Sequence, residues 1–411
     1  MYAMGTQAEA VPTETAVTSL KKYRIESIDL LRGIVMVIMA LDHVRDYFYY
    51  GSFFGNPTDL TTTTPLLFFT RWITHFCAPV FVFLAGTSAF LYGVRKESRK
   101  EVSIFLLTRG LWLIILELTV VNFAWTFDIT LSMHIFQVIW AIGISMVCLG
   151  ALVYLPKKWM LLAGLLLVGG HNALDGVVLS GTDPVALLWY VLHQPNFIPL
   201  DTASAVFIHY PVLPWMGLMI LGYCFGTLYR KGFDPTQRKR WLLWMGSGAI
   251  VLFLLLRAFN IYGDQNPWSM QETFTFSVLS FLNTTKYPPS LLYLLMTLGP
   301  SLLFLHWTET KTNKLTNFFV IIGRVPLFYY VLHLFLIHLL AMGRVMLAGR
   351  PWTDMILTAP SFMEGSLATY GYSLWVVYGV WILVVALLFP LSKWYQQYKM
   401  QNRHKWWLSY L

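Results

Sequence analysis

The sequence predicts an all-α, polytopic integral membrane helix bundle of about ten transmembrane helices with both termini in the cytoplasm. Three observations carry this. Only 12% of the 411 residues are charged and 57% are hydrophobic, whereas a soluble domain carries roughly a quarter charged residues. Apolar runs of roughly 20 residues, long enough to cross a bilayer, recur along the whole chain. Lys and Arg divide twenty to three between alternate inter-span stretches, and the side that collects them is the cytoplasmic one.

The elements follow in order. Residues 1–23 are Ala/Thr-rich and polar and read as a disordered cytoplasmic tail. The basic cluster Lys21, Lys22 and Arg24 at its boundary leads into an uncleaved first span. Residues 24–391 form the transmembrane domain, with apolar helices expected at 28–50, 67–93, 102–125, 134–154, 157–171, 211–229, 240–260, 288–306, 317–341 and 368–390. The stretches on the far side, notably 172–210 and 261–287, are long and aromatic, and 270–285 reads as a short surface helix. Residues 392–411 read as a cytoplasmic interfacial tail anchored by Trp394, Trp406 and Trp407. The net charge of +9 belongs to the loops that set orientation, so no nucleic-acid partner is expected. Cys77, Cys148 and Cys224 have no metal-type spacing and make no disulfide framework. No metal is expected.

Ionisable residues inside spans are functional candidates because a charge at the bilayer centre costs a few kcal/mol. The first span holds Asp29, Arg32, Asp42, His43, Arg45 and Asp46. Arg32 and His43 are eleven residues apart, three turns plus about 20°, so they share one helix face about 16 Å apart along the axis. Met36 lies on that face between them. One stripe thus joins a guanidinium suited to phosphate with an imidazole suited to proton transfer or nucleophilic attack. The plainer reading makes Arg32 an interfacial anchor and Asp42, Arg45 and Asp46 edge ion pairs. In the second span Arg71 and His75 stand at i, i+4, followed by Pro79, which removes a backbone donor and is expected to kink the helix. The third span carries Arg109 and the deeper Glu117, for which an arginine partner from another span is expected. His333 and His338 read as core members more readily than as site residues.

Walker-type loops, HExxH and GxSxG are absent, which excludes a P-loop ATPase, a zincin and an α/β-hydrolase. Two classes remain: an enzyme, and a non-enzymatic proton-coupled carrier or exporter of a small polar solute that uses the same buried groups as a proton relay.

The segments RIESIDLLRG…MALDHVRDYF, LFFTRWITHFCAPVFVFLAGTSAFL, LTRGLWLIILELTVVNFAW, FQVIWAIGISMVCL and HYPVLPWMGLMILGYCFG resemble bacterial members of the heparan-α-glucosaminide N-acetyltransferase catalytic-domain family, over roughly residues 24–340. The Arg32/His43 spacing and PLFYYVLH are also similar to the wider transmembrane acyltransferase superfamily. The resemblance implies an acyl-CoA-dependent transmembrane acyltransferase of the bacterial inner membrane. Acetyl-CoA would be the donor and an extracytoplasmic glycan or amino sugar the acceptor, with a homodimer as a candidate assembly. By carry-over Arg32 would contact the CoA side of the path and His43 would be the catalytic base or acyl carrier, assisted by Asp42. Arg71 and His75 match family positions, His75 as a further catalytic candidate, and Arg71, Arg109 and Glu117 are candidates for the substrate or CoA path. The family's lysosomal enzymes are described with a histidine in the loop after the first catalytic-domain span, and residues 51–65 contain none.

Overall fold

The computed structural model describes residues 25–409 except 54, 97, 310–312, 365, 366, 368, 369 and 403. The expected tail 1–23 lies outside the described residues. Helix α1 (Glu26–Phe48) is followed by α2 (Pro65–Lys96) and α3 (Arg99–Thr126). After strand β1 (Met133–Phe136) come α4 (Val138–Leu152), α5 (Lys157–Gly170), α6 (Pro184–Leu192), β2 (Asn196–Pro199) and β3 (Ala205–Ile208). The chain continues through α7 (Leu213–Phe225), α8 (Pro235–Phe259), α9 (Phe274–Leu282), α10 (Leu291–Thr308) and α11 (Lys314–Gly323). It ends with α12 (Pro326–Leu347), α13 (Ala359–Glu364) and α14 (Leu374–Gln401).

Among the described residues six helices, α2, α3, α8, α10, α12 and α14, are long and apolar enough to cross a membrane. The chain is therefore a multi-pass integral membrane protein. Helices α4, α7 and α11 are apolar but shorter, and α1 has the length but is set apart by its charges.

Local chemistry fixes many of the starts. The side chains of Thr64, Asp183 and Asp234 accept backbone N–H groups of the first turns of α2, α6 and α8, and each is followed by a proline at the first helical position. Such residues satisfy donors that would otherwise be orphaned, and proline has no donor to lose there.

Helix α1 is the axis of the bundle. It packs against α2, α10, α11, α12 and α14, and 18 of its 23 residues are buried. Helices α8 and α14 lie at the periphery and expose most of their apolar surface. In a membrane, tight helix pairs form where small residues let backbones meet. At the α1–α11 crossing a Cβ on Gly33 would lie 1.8 Å from the Phe319 carbonyl oxygen. Across the same contact a Cβ on Gly323 would lie 1.9 Å from that of Asp29. Helices α2 and α7 meet in the same way through Gly86 and Gly222.

Three expectations are corrected. The run 317–341 is two helices, because Pro326 lacks a donor and disfavours the helical region for Val325. Val325 takes φ −132°, ψ 49°, and α12 restarts at Pro326. The run 134–154 begins as strand and is helical only from Val138. β1 joins a three-stranded sheet, order β1-β3-β2, with β1 parallel and β2 antiparallel to β3. The Asn122 side chain pairs with Met133 O and Ile135 N along β1, serving its free edge as a further strand would. In the third case Pro390 does not end its helix, since α14 runs through it to Gln401.

The surface helix expected at 270–285 is α9. Arg257, buried at the end of α8, donates to the carbonyls of Asn266, Ser280, Phe281 and Asn283 and so closes its C-terminal end.

The α1–α11 crossing gives a direct test. Gly33→Ala is expected to destabilise by about 1–3 kcal/mol through overpacking against backbone, read as a lower Tm of the detergent-purified protein. Gly169→Ala, with nothing within 4 Å of the added carbon, is the control and should be neutral or slightly stabilising.

Candidate active site

A cavity of about 380 Å³ opens among α1, α2, α3, α4 and α12, a size in the usual range for small-molecule sites. Its lining includes five cations, Arg32, Arg95, Arg109, Arg324 and Lys399. Beyond them it is apolar, with Met36, Met39, Leu113, Ile142, Met146 and Tyr330. Arg32, Met36 and Met39 are successive members of one stripe on α1, at i, i+4 and i+7, and His43 is the next at i+11.

The mouth is held by ion pairs. Arg32 donates to Asp29 at 3.2 Å and to the Ser88 hydroxyl at 3.0 Å. Arg324, at the end of α11 beside the break, reaches Asp29 at 3.5 Å and Glu26 at 3.4 Å. Arg109 lies 5.9 Å from the Phe105 ring centre.

The apolar part of the lining leads to two histidines. The ring of Tyr330 stands 6.1 Å from that of His43, and Trp125 stands edge-on at 4.9 Å. His43 Nδ1 lies 2.7 Å from His333 Nε2, and His333 Nδ1 lies 3.0 Å from the Tyr329 carbonyl oxygen. These contacts assign the tautomers of the neutral rings. A carbonyl only accepts, so His333 carries its proton on Nδ1 and presents a lone pair at Nε2. His43 must then donate from Nδ1, which leaves the lone pair of His43 on Nε2.

Asp42 takes a different direction. Its carboxylate receives Arg71 Nη1 at 2.7 and 2.6 Å, Arg45 Nη1 at 2.8 Å, and has Lys286 Nζ at 4.0 Å. Arg45 also pairs with Asp46 at 2.5 Å. The structure thus brings Asp42 and Arg71 together and gives His43 a histidine, not Asp42, as its hydrogen-bonded neighbour. Successive residues on a helix point about 100° apart, which accounts for the split.

Pro79 acts on His75. A proline leaves the carbonyl four residues earlier without its helical partner. That carbonyl belongs to His75, and the Tyr293 hydroxyl donates to it at 2.7 Å. The irregular turn Ile73–Phe76 sits just ahead of the proline. His75 packs edge-on to Tyr293 at 5.3 Å and keeps a buried Nδ1.

Around Lys286 the long aromatic loops close in. Lys286 stands 5.1 Å from the Tyr287 ring centre, and the His209 ring lies tilted against that of Tyr287 with centres 3.8 Å apart. Burial, with Lys286 and Arg71 nearby, lowers the His209 imidazole to about 3 and keeps it neutral. Burial alone would raise the Tyr287 phenol, but Lys286 and Arg71 outweigh it and hold it below the usual phenol range.

Glu117 corrects an expectation. Its carboxylate accepts Trp140 N at 3.1 Å, at the N-terminus of α4. An orphaned helix N-terminus is an electrostatic substitute for a cation, and no arginine is needed. His338 ties chain segments together, facing Met355 O at 2.7 Å and Ala124 O at 3.1 Å. Sequence reasoning left out His333, Lys286, His209 and Tyr287. Only His333 had a visible signal, as a histidine inside an apolar run two turns after Pro326.

The fold and site are those of a multi-pass membrane bundle with a cationic cavity beside a buried imidazole pair. The family model described as heparan-alpha-glucosaminide N-acetyltransferase, catalytic, matches residues 24–257. That is more than half of the chain, and the chain belongs to this family, whose activity is transmembrane acetyl transfer. No curated protein matches it. The match ends at Arg257, so α12 and His333 come from beyond it.

Removing one partner of a buried ion cluster leaves uncompensated charge. Asp42→Asn, which takes the carboxylate from Arg71 and Lys286 and leaves Arg45 with Asp46 alone, is expected to cost about 3–5 kcal/mol, read as a fall in Tm. The double variant Asp42→Asn/Arg71→Met should recover part of that loss.

Proposed function

We propose that the chain transfers an acetyl group from acetyl-CoA, bound at the cytoplasmic side of a bacterial inner membrane, to an amino or hydroxyl group of an extracytoplasmic glycan. In this reading ten helices cross the bilayer (α1 to α5, α7, α8, α10, α12 and α14) and both ends are cytoplasmic. The observation that carries it is the continuity of one cavity, which begins at Arg32, Arg95, Arg109, Arg324 and Lys399 and runs to Tyr330 beside His43. A CoA ester has that same division, with phosphates at one end and a thin, largely uncharged arm ending in a thioester. Cations at the mouth suit the phosphates. The apolar lining suits the arm.

The His43 Nε2 lone pair supplies the chemistry. As base it takes the proton of the acceptor N–H or O–H while that atom attacks the thioester carbon. The carbon–sulfur bond breaks, and the proton passes from His43 to the departing CoA sulfur. The same lone pair serves if His43 first carries the acetyl group, and acetyl-His43 detected by mass spectrometry after a quench distinguishes that route. His333 accepts from His43 Nδ1, and its orientation is fixed by the Tyr329 carbonyl. It takes the place that a carboxylate holds in hydrolase triads and steadies the imidazolium as it forms. Asp42, Arg71, His75, Lys286 and Tyr287 form the acceptor side, where hydroxyl-rich sugars find charged and phenolic partners.

Two measurements test this reading. His43→Ala should lower kcat by roughly 10²–10⁴, the usual size of a general-base contribution, with acetyl-CoA still raising the Tm of the purified protein. Full activity in that variant would sink the proposal. Arg109→Gln should raise KM for acetyl-CoA about tenfold with little change in kcat, the loss of roughly one charge-assisted hydrogen bond. An unchanged KM, or solute flux without acetyl transfer, would count against it.

A further inference from the structure

Away from the cavity, the segment between α5 and β2 brings together His171, Asp175 and His193. One ligand atom from each lies within 4.8 Å of the others. We propose that these three side chains bind a transition-metal ion, with zinc the best fit, which pins the turn after α5 to the end of α6.

The distances have the right scale. Bonds of about 2.0–2.1 Å to a tetrahedral zinc set neighbouring ligand atoms about 3.3–3.4 Å apart. His193 Nε2 is 3.3 Å from His171 Nδ1 and 3.6 Å from Asp175 Oδ1. The same nitrogen is 3.0 Å from the His171 carbonyl oxygen, which stands where a fourth donor would. Both histidines are almost fully buried, while the Asp175 side chain keeps 14% exposure and gives the ion its way in.

The donors are also oriented from behind. Ligand carboxylates and imidazoles are commonly fixed by a second set of hydrogen bonds. Asn172 Nδ2 donates to Asp175 Oδ2 at 2.8 Å, which leaves Oδ1 for the metal. Asn172 Oδ1 in turn accepts Leu291 N at the start of α10. Trp189 stacks on His193 at 5.1 Å. Two neutral imidazoles and one carboxylate are the donor set of zinc and its neighbours, whereas calcium and magnesium prefer oxygen alone.

The site has a consequence for the chain that follows. His193 is three residues before β2, and the β2–β3 hairpin leads directly to His209 against Tyr287. A metal at His193 therefore anchors the root of the hairpin that delivers His209. Without metal, the Nε2 proton of His193 holds the same contacts by donating to the His171 carbonyl. Metal binding moves that proton to Nδ1 and leaves the Nε2 lone pair for the ion.

The wild-type chain decides the main point. Full-length protein purified in detergent is stripped with EDTA, exchanged into metal-free buffer and titrated with Zn²⁺, with bound metal read by elemental analysis and Tm by tryptophan fluorescence. One tightly held zinc per chain and a Tm raised by several degrees are expected. Co²⁺ should give the visible absorption bands of a tetrahedral nitrogen–oxygen site. His171→Gln/His193→Gln should abolish both signals, and Asn172→Ala should weaken Zn²⁺ binding by roughly tenfold or more. Substoichiometric metal with no Tm shift in the wild type overturns the proposal. So does a shift of equal size in the double variant, which would place the metal elsewhere. If the double variant does not fold, the stoichiometry and cobalt spectrum of the wild type still decide.

Discussion

Charge compensation along α1 is the constraint on which the rest of the bundle depends. This helix lies at the centre of an apolar assembly yet carries Glu26, Asp29, Arg32, Asp42, Arg45 and Asp46. In a low-dielectric interior each of these must find a partner or lose its charge. The partners come from distant parts of the chain: Arg324 for Asp29 and Glu26, and Arg71 and Lys286 for Asp42. Satisfying them draws α2, the loop before α10 and the α11–α12 break onto one helix. The close glycine contacts then let the backbones approach as nearly as those ion pairs require.

Irregular backbone at membrane depth is tolerated only where it is buried in protein or lines a cavity, and the two proline-linked irregularities obey that rule. The break at Arg324 and Val325 puts a cation at the cavity mouth and starts α12 in a register that turns Leu327 and Tyr330 to the cavity. His333, one turn on from Tyr330, then meets His43. The turn ahead of Pro79 leaves the His75 carbonyl open, and a tyrosine hydroxyl closes it. Proline acts in both cases by withholding a donor, and in both a polar side chain gains a place that a regular helix would deny it.

What could be read from the sequence follows from the range of the interactions involved. The face shared by Arg32 and His43 needs only 100° per residue, so local arithmetic suffices. The apolar runs are likewise local, and most of the helices found match them; Pro326 divides one run, 134–154 opens as a strand, and α14 continues past Pro390. His333 was not legible as the neighbour of His43, because 290 residues separate them and nothing in a single sequence records the contact. Glu117 was assigned an arginine because side-chain charge can be seen in a sequence while the N-terminus of a helix cannot. The sheet was missed for a related reason. Strands of four residues, set beside apolar helical runs, carry too short a period to stand out.

The arrangement at residues 42 and 43 shows how these constraints bear on chemistry. Two adjacent residues of one helix point into different environments, Asp42 into a knot of cations and His43 into a buried aromatic niche with His333. Rotating α1 to improve either contact would break the other. The ion cluster therefore fixes the rotation of the helix, and with it the direction of the His43 imidazole. Because His333 accepts from Nδ1, the position of the His43 Nε2 lone pair is set by the backbone carbonyl of Tyr329 and not by a charge. An uncharged orienting group suits this position, since a buried carboxylate there would have to be desolvated beside an apolar cavity. The cost of charge is met one residue away, where three cations share it.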